Sequence, residues 1–143
     1  SIHTDDNLLV DADPDKLARV FDNLLRNAIA YSYPGTNIDI RAFGEQKDII
    51  ITFSNQGDQI PPQKLNFIFE KFYRVDNARQ SRTGGAGLGL SIAKEIVELH
   101  GGAIAASSSP VCTRFTVKLP RHEEAHPAAA KKWGRIAKNG GKE

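Results

Sequence analysis

Between Asp13 and Pro34 the chain carries one uninterrupted amphipathic pattern, and every arrangement of the remaining residues has to accommodate it. Asp13 can accept hydrogen bonds from the free N–H groups of a first helical turn, and Pro14 suits a position where no donor is needed. Apolar residues then recur at Leu17, Val20, Phe21, Leu24, Leu25, Ala28 and Ile29, the i, i+3, i+4, i+7 stripe of a helix with one buried face. "YPG" at Tyr33 to Gly35 ends it, because Pro34 biases its predecessor away from helix and Gly35 tolerates a turn.

Alternation replaces the helical period downstream. Ile38/Ile40/Ala42 and Ile49/Ile51/Phe53, joined by "FGEQKD", predict a hairpin with one buried face. "IPPQKLNFIFEKF" predicts a short helix with Leu65, Ile68, Phe69 and Phe72 as its apolar stripe. "YRVDNARQSRTGGAG" is polar and unperiodic, a long loop of the kind that is commonly a functional lid. Leu88, Ile92, Ile96 and Leu99 mark another helix, closed by His100 and a left-handed cap at Gly101. "GAIAASSS" and "TRFTVKLP" predict two strands, and "LLVDAD" near the start predicts a further one. The sum is an α/β sandwich, a mixed sheet of about five strands with three helices on one face.

Composition limits the rest. With 143 residues, 40% hydrophobic and 25% charged, the chain has material for one core, expected over residues 1–120. Residues 121–143 hold six Lys/Arg against three Glu and few large apolar residues, which predicts a basic, disordered tail. No apolar run reaches membrane-spanning length. The start at Ser1 and the lack of any Met read as a piece of something longer. A single cysteine, Cys112, has no disulfide partner and no CxxC companion for zinc, so it reads as an inert thiol.

Four glycines fall within Gly84 to Gly89, directly before a helix. A dinucleotide fingerprint GxGxxG counted from Gly85 needs glycine at position 90, and a P-loop from Gly84 needs lysine there; position 90 is Leu90. What remains is Gly85-x-Gly87-x-Gly89 at a helix N-terminus, which reads either as a structural turn or as a site where unpaired N–H groups and the helix dipole favour an anion. Asn23 and Asn27 lie one turn apart on the polar side of the first helix. Asparagine is mildly unfavourable inside helices, and its neutral oxygen is a hard ligand for Mg²⁺, which takes its other ligands from water and phosphates.

"DKLARVFDNLLRNAIAYS", "SNQGDQIP", "FEKFYR" and "GGAGLGLSIAKEIVELHGG" resemble, in order and spacing, the N, G1, F and G2 boxes of the ATP-binding domain of sensor histidine kinases, of the superfamily that includes gyrase B, Hsp90 and MutL. The resemblance covers residues 8 to about 120 and implies the Bergerat fold with a flexible ATP lid over residues 73–86. It implies Asn27 as the Mg²⁺ ligand and Asn23 facing the phosphates. It further implies Tyr31 and Ile60 beside the adenine, Asn55 and Gly57 at its edge, Arg79 and Arg82 as phosphate contacts, and Gly85, Gly87, Leu88 and Gly89 around the triphosphate. The hydrolytic relatives have a glutamate at the position of Asn23 that activates water, and an amide cannot accept that proton. Phe69 and Phe72 match the box beneath the lid.

The chain departs from the pattern at three positions. Ala30 replaces a common lysine, leaving Arg26, Arg79, Arg82 or Lys94 to compensate. Asn55 replaces the aspartate that accepts from the adenine 6-amino group; an amide oxygen can do the same, so adenine selectivity is expected to survive. Gln59 replaces the second glycine of that box and is expected to reshape the pocket edge.

The implied reaction passes the γ-phosphoryl group of ATP to a histidine. No phosphoacceptor segment occurs, since His3, His122 and His126 lie in terminal stretches and His100 at a helix end. The partners implied are therefore an upstream dimerisation and phosphoacceptor domain and a response regulator. No nucleic acid is implied. The parent is expected to be a dimeric bacterial membrane protein with this domain in the cytoplasm, and the fragment itself monomeric. A gyrase-like ATPase, an anti-sigma-factor-type serine kinase and a non-enzymatic nucleotide sensor are the alternatives.

Overall fold

The computed structural model describes residues 1–5, 7–73 and 89–122. The lid motif over 73–86, apart from Tyr73, and the tail from residue 123 onward lie outside the described residues. Helix α1 spans Pro14–Tyr31, with Pro14 in the first turn and the Asp13 carboxylate accepting from the amides of Asp15 and Lys16 at 3.0 and 3.3 Å. The expected hairpin is formed by β2 (Asp39–Glu45) and β3 (Asp48–Asn55), with Gln46 taking a positive φ of 56° in a two-residue turn. Helix α2 covers Pro62–Leu65 and helix α3 Gly89–Leu99, followed by β4 (Ala103–Ser108) and β5 (Thr113–Pro120).

With β1 at Ile2–Thr4, the sheet order is β1-β2-β3-β5-β4; β1 runs parallel to β2 and the other pairs are antiparallel. β5 alternates buried and exposed positions along its length, and Phe115, Val117 and Leu119 face the helices. They close one core with Val20 and Leu24 of α1, Ala93, Ile96 and Val97 of α3, and Phe53 of β3. Among the described residues no helix is long and apolar enough to cross a membrane.

Two hydrogen-bonded devices fix the helices against one another. Gly101, at φ 77°, donates to the carbonyl of Glu98 and Gly102 to that of Val97, each at 3.0 Å, the pairing of a Schellman cap. His100 donates from Nδ1 to the Ile96 carbonyl (2.8 Å), while its Nε2 accepts from the amide of Asp13 (3.1 Å). One neutral imidazole thus ties the end of α3 to the residue that caps α1.

Three local expectations are corrected. Leu8–Asp13 is not a strand, and the edge strand is Ile2–Thr4 instead. Asn7 takes a left-handed φ of 61°, which breaks an extended ladder, and residue 9 is then held through a single bond from the His122 amide to the Leu9 carbonyl. The apolar stripe ending at Phe72 also fails. After α2 the bonds run three residues back, from Phe67 to Lys64, Glu70 to Phe67 and Tyr73 to Glu70. Those tight turns change the period, so Ile68 is buried while Phe72 is 69% exposed. Ile29, counted in the α1 stripe, is 58% exposed because the contact face narrows to Val20, Leu24 and Ala28.

The face of the sheet away from the helices is polar. Asp39 accepts from Arg41 Nε at 2.6 Å and from Ser1 Oγ at 2.8 Å. Arg41 first, then the Ser1 hydroxyl, holds the Asp39 carboxyl below its ordinary 3.8.

Leu24→Ala is expected to lower unfolding stability by about 2–5 kcal/mol, whereas Ile29→Ala changes it by less than about 0.5 kcal/mol; urea unfolding midpoints of the two variants check the contrast. Acid is expected to loosen β1 first, since a lowered folded-state pKa gives stability that is present above the unfolded value and lost as pH falls through the folded one. Amide exchange at Ile2–Thr4 followed from pH 5 towards pH 3 reads this out directly.

Candidate functional site

The polar side of α1 presents Asn23, Asn27 and Tyr31 at successive four-residue steps, each half-buried. Asn23 Nδ2 donates to the carbonyl of Gly89 at 3.1 Å, joining α1 to the first residue of α3. Asn27, one turn further on, makes no hydrogen bond through its side chain to a described residue, so its amide oxygen is available to a ligand. Arg26 does not turn towards this face as a substitute cation; it pairs with Asp22 at 2.8 Å on the exposed side.

The second wall is the end of β3 and the loop after it. Asn55 is 4% exposed and stands in register with Thr113, also 4% exposed. Gly57 is buried against the end of α1, where a Cβ would collide with the backbone carbonyl of Tyr31. The Tyr33 amide donates to the carbonyl of Gln56 at 2.7 Å, and the Tyr33 hydroxyl to Asp58 Oδ1 at 2.8 Å. Close approach of two backbones therefore fixes this loop on α1, and only glycine permits it.

Beyond Gly57 the loop is braced from the other side. The amide of Ile60 donates to Ser108 Oγ at 2.9 Å, and Ser108 Oγ in turn bonds Thr113 Oγ1 at 2.7 Å. Gln59, which stands where a second glycine was expected, reaches outward so that its Nε2 approaches the Ser108 carbonyl at 3.5 Å. Gln59 is exposed, while Ile60 packs against the core.

The structure thus places Asn23, Asn27 and Tyr31 on α1, Gly89 at the start of α3, and Asn55, Gly57 and Ile60 at the end of β3 and in the loop after it, with Asn23 bonded to Gly89 and Gly57 against Tyr31. Arg79, Arg82, Gly85, Gly87 and Leu88 lie outside the described residues. Sequence reasoning missed Ser108 and Thr113. The signal was present in the alternation, since Thr113 shares the inward parity of Phe115, Val117 and Leu119, where a hydroxyl needs a partner.

Among the described residues no three His, Cys, Asp or Glu side chains cluster as a metal site. A metal at this site would have few protein ligands, and the donor chemistry fits Mg²⁺, which binds through one or two oxygens and substrate phosphates.

Residues 12–123 match the family model described as "Histidine kinase-, DNA gyrase B-, and HSP90-like ATPase". The chain is 58% identical over 120 residues to "Sensor protein VanS" of Enterococcus faecium, covering 83% of this chain and 31% of that protein. It is 42% identical over 123 residues to "Sensor histidine kinase WalK" of Bacillus subtilis (strain 168), covering 84% of this chain and 20% of that one. Its fold superposes on the catalytic domain of histidine kinase ThkA with a TM-score of 0.73 at 30% identity, over 84% of this chain and 76% of the other. The "Mycobacterial sensor histidine kinase MprB" gives a TM-score of 0.71 at 30% identity, over 85% and 83%. The chain thus spans a third or less of these curated relatives.

Gly57→Ala is expected to cost about 1–3 kcal/mol of stability by forcing the loop off α1. Gly89→Ala, where the nearest atom of the described residues to an added Cβ is Asn23 Cγ at 4.0 Å, is expected to be neutral or stabilising. Thermal melts of the two single variants against wild type test the difference.

Proposed function

Because this chain belongs to the histidine kinase-, DNA gyrase B- and HSP90-like ATPase family and is a catalytic ATPase domain of the sensor-kinase kind, we propose that it binds Mg²⁺·ATP between α1 and the loop after β3. The γ-phosphoryl group then passes to a histidine on a dimerisation domain of the same protein. The observation that carries this reading is the amide pair on α1: Asn23 bonded to Gly89 at the start of α3, and Asn27 free to bind one turn on.

Each wall has a separate task. Asn55, buried beside Gly57, accepts from the base, and Gly57 lets the loop come close enough to α1 to bound the pocket. Tyr31 and Ile60 supply apolar surface on either side of the base. Asn27 offers its amide oxygen to the metal, and Mg²⁺, when bound, neutralises charge on the phosphates. The N-terminus of α3 directs the positive end of its dipole at anionic oxygens. On this reading Gly85, Gly87 and Leu88 contribute further backbone amides to the phosphates, and Arg79 and Arg82 contribute charge in place of the lysine missing at Ala30.

Asn23 separates the kinase reading from hydrolysis. Its Nδ2 is committed as a donor to Gly89, and an amide is no base for water, so the γ-phosphoryl group survives until the acceptor histidine arrives. A loose transition state then asks the protein mainly for alignment and charge neutralisation. The whole protein is proposed to be a dimeric, membrane-bound sensor whose cytoplasmic kinase core passes the phosphoryl group to a response regulator. A non-enzymatic nucleotide sensor is the second reading, favoured by Ala30 and by Asn55 in place of a carboxylate.

Titrating a fluorescent ATP analogue is expected to give saturable, Mg²⁺-dependent binding. Asn27→Ala is expected to remove the Mg²⁺ dependence and weaken binding by about ten-fold or more while the circular dichroism stays native. Incubation with ATP and a separately supplied histidine-bearing dimerisation domain is expected to label that domain. Absence of saturable binding would contradict the nucleotide reading, and binding without transfer would favour the sensor.

A further inference from the structure

Asn55 is a 4% exposed amide at the end of β3, and neither end of it is hydrogen-bonded to a described residue. Its Nδ2 lies on the α1 side of the sheet, 3.2 Å from where a Cβ on Gly57 would stand. The neighbouring buried hydroxyl, Thr113 Oγ1, is engaged by Ser108 Oγ at 2.7 Å. Both ends of this amide are thus uncommitted among the described residues and open to a ligand that completes them.

From this we infer that the site takes 6-oxo purine nucleotides as well as adenine nucleotides, with Asn55 as the residue that sets the breadth. The inference rests on the nucleotide reading above and changes its base specificity. A carboxylate at this position is an acceptor at both oxygens; it matches a 6-amino group and repels a 6-oxo group. A primary amide carries one acceptor and one donor. Turned one way, its oxygen accepts from the 6-amino group of adenine and its NH₂ donates to N1. After a half-turn about χ2, its NH₂ donates to O6 of hypoxanthine and its oxygen accepts from N1–H. No hydrogen bond inside the described residues opposes that half-turn. The surroundings fix where the amide stands, through the Gly57 contact and the register with Thr113, but not which way round it is. The expectation of intact adenine selectivity, drawn from the amide oxygen alone, therefore gives way to tolerance at C6.

Displacement of a fluorescent ATP analogue by ATP and by inosine triphosphate, both with Mg²⁺, tests this on the chain as it stands. The wild type is expected to bind the two within about five-fold of each other, and Asn55→Asp to raise the preference for ATP by about ten- to hundred-fold. Asn55→Ala is expected to weaken both nucleotides by a similar factor. Wild type that binds ATP but rejects inosine triphosphate by about a hundred-fold overturns the inference and leaves the nucleotide reading intact. So does an Asn55→Asp variant that folds and keeps the wild-type ratio. Failure of both nucleotides to displace the analogue overturns both readings. The wild-type ratio decides the matter even if Asn55→Asp does not fold.

Discussion

The contact of Gly57 with the carbonyl of Tyr31 is the constraint on which the rest of the site depends. Two elements far apart in sequence, the end of α1 and the loop leaving β3, come together closely enough to exclude a single methyl group. The Tyr33 amide bonded to Gln56 and the Tyr33 hydroxyl bonded to Asp58 lock the same junction from its outer side. Buried backbone polar groups are expensive to leave unpaired, so this junction cannot open without losing both packing and hydrogen bonds. It holds the end of β3, which carries Asn55, against the end of α1, the helix that carries Asn27.

The remaining contacts transmit that position outward. Ser108 takes the Ile60 amide and the Thr113 hydroxyl together, so β4, β5 and the loop share one polar node. Asn23 carries α1 to α3 through Gly89, and His100 returns from the far end of α3 to Asp13 at the start of α1. Both ends of α3 are thereby tied to α1, with Val20, Leu24 and Val97 packed between the two helices without exposure to water. Asn23, Asn27 and Asn55 thus sit on regular elements, α1 and β3, whose positions these bonds and the core fix.

Local chemistry made much of this legible before any coordinates. Asp13-Pro14 marked the start of α1, the two apolar alternations marked β2 and β3, and His100-Gly101-Gly102 marked a helix end, because each signal acts within a few residues. What stayed hidden was set by distant partners or by backbone turns. A left-handed Asn7 and a left-handed Phe72 redirected segments whose composition alone suggested regular structure. Ser108 and Thr113 looked like ordinary strand polar residues until the register placed Thr113 beside Asn55. The family boxes implied that Asn23 faces phosphates, but its bond to the Gly89 carbonyl could not be read from spacing, because it joins positions 66 residues apart. Asn55 was recognisable as a departure from the family pattern; its burial and uncommitted amide gave that departure a consequence for base choice.

The central claim is that one pocket is bounded at once by α1, the loop after β3 and the start of α3. Backbone amide shifts of isotopically labelled protein, followed during titration with Mg²⁺ and a non-hydrolysable ATP analogue, test it most directly. The expected result is a single saturating set of changes that includes Asn23, Asn27, Asn55, Gly57, Ile60 and Gly89. Changes confined to the opposite face of the sheet, around Asp39, Arg41 and Arg114, with those six residues unmoved, would contradict it.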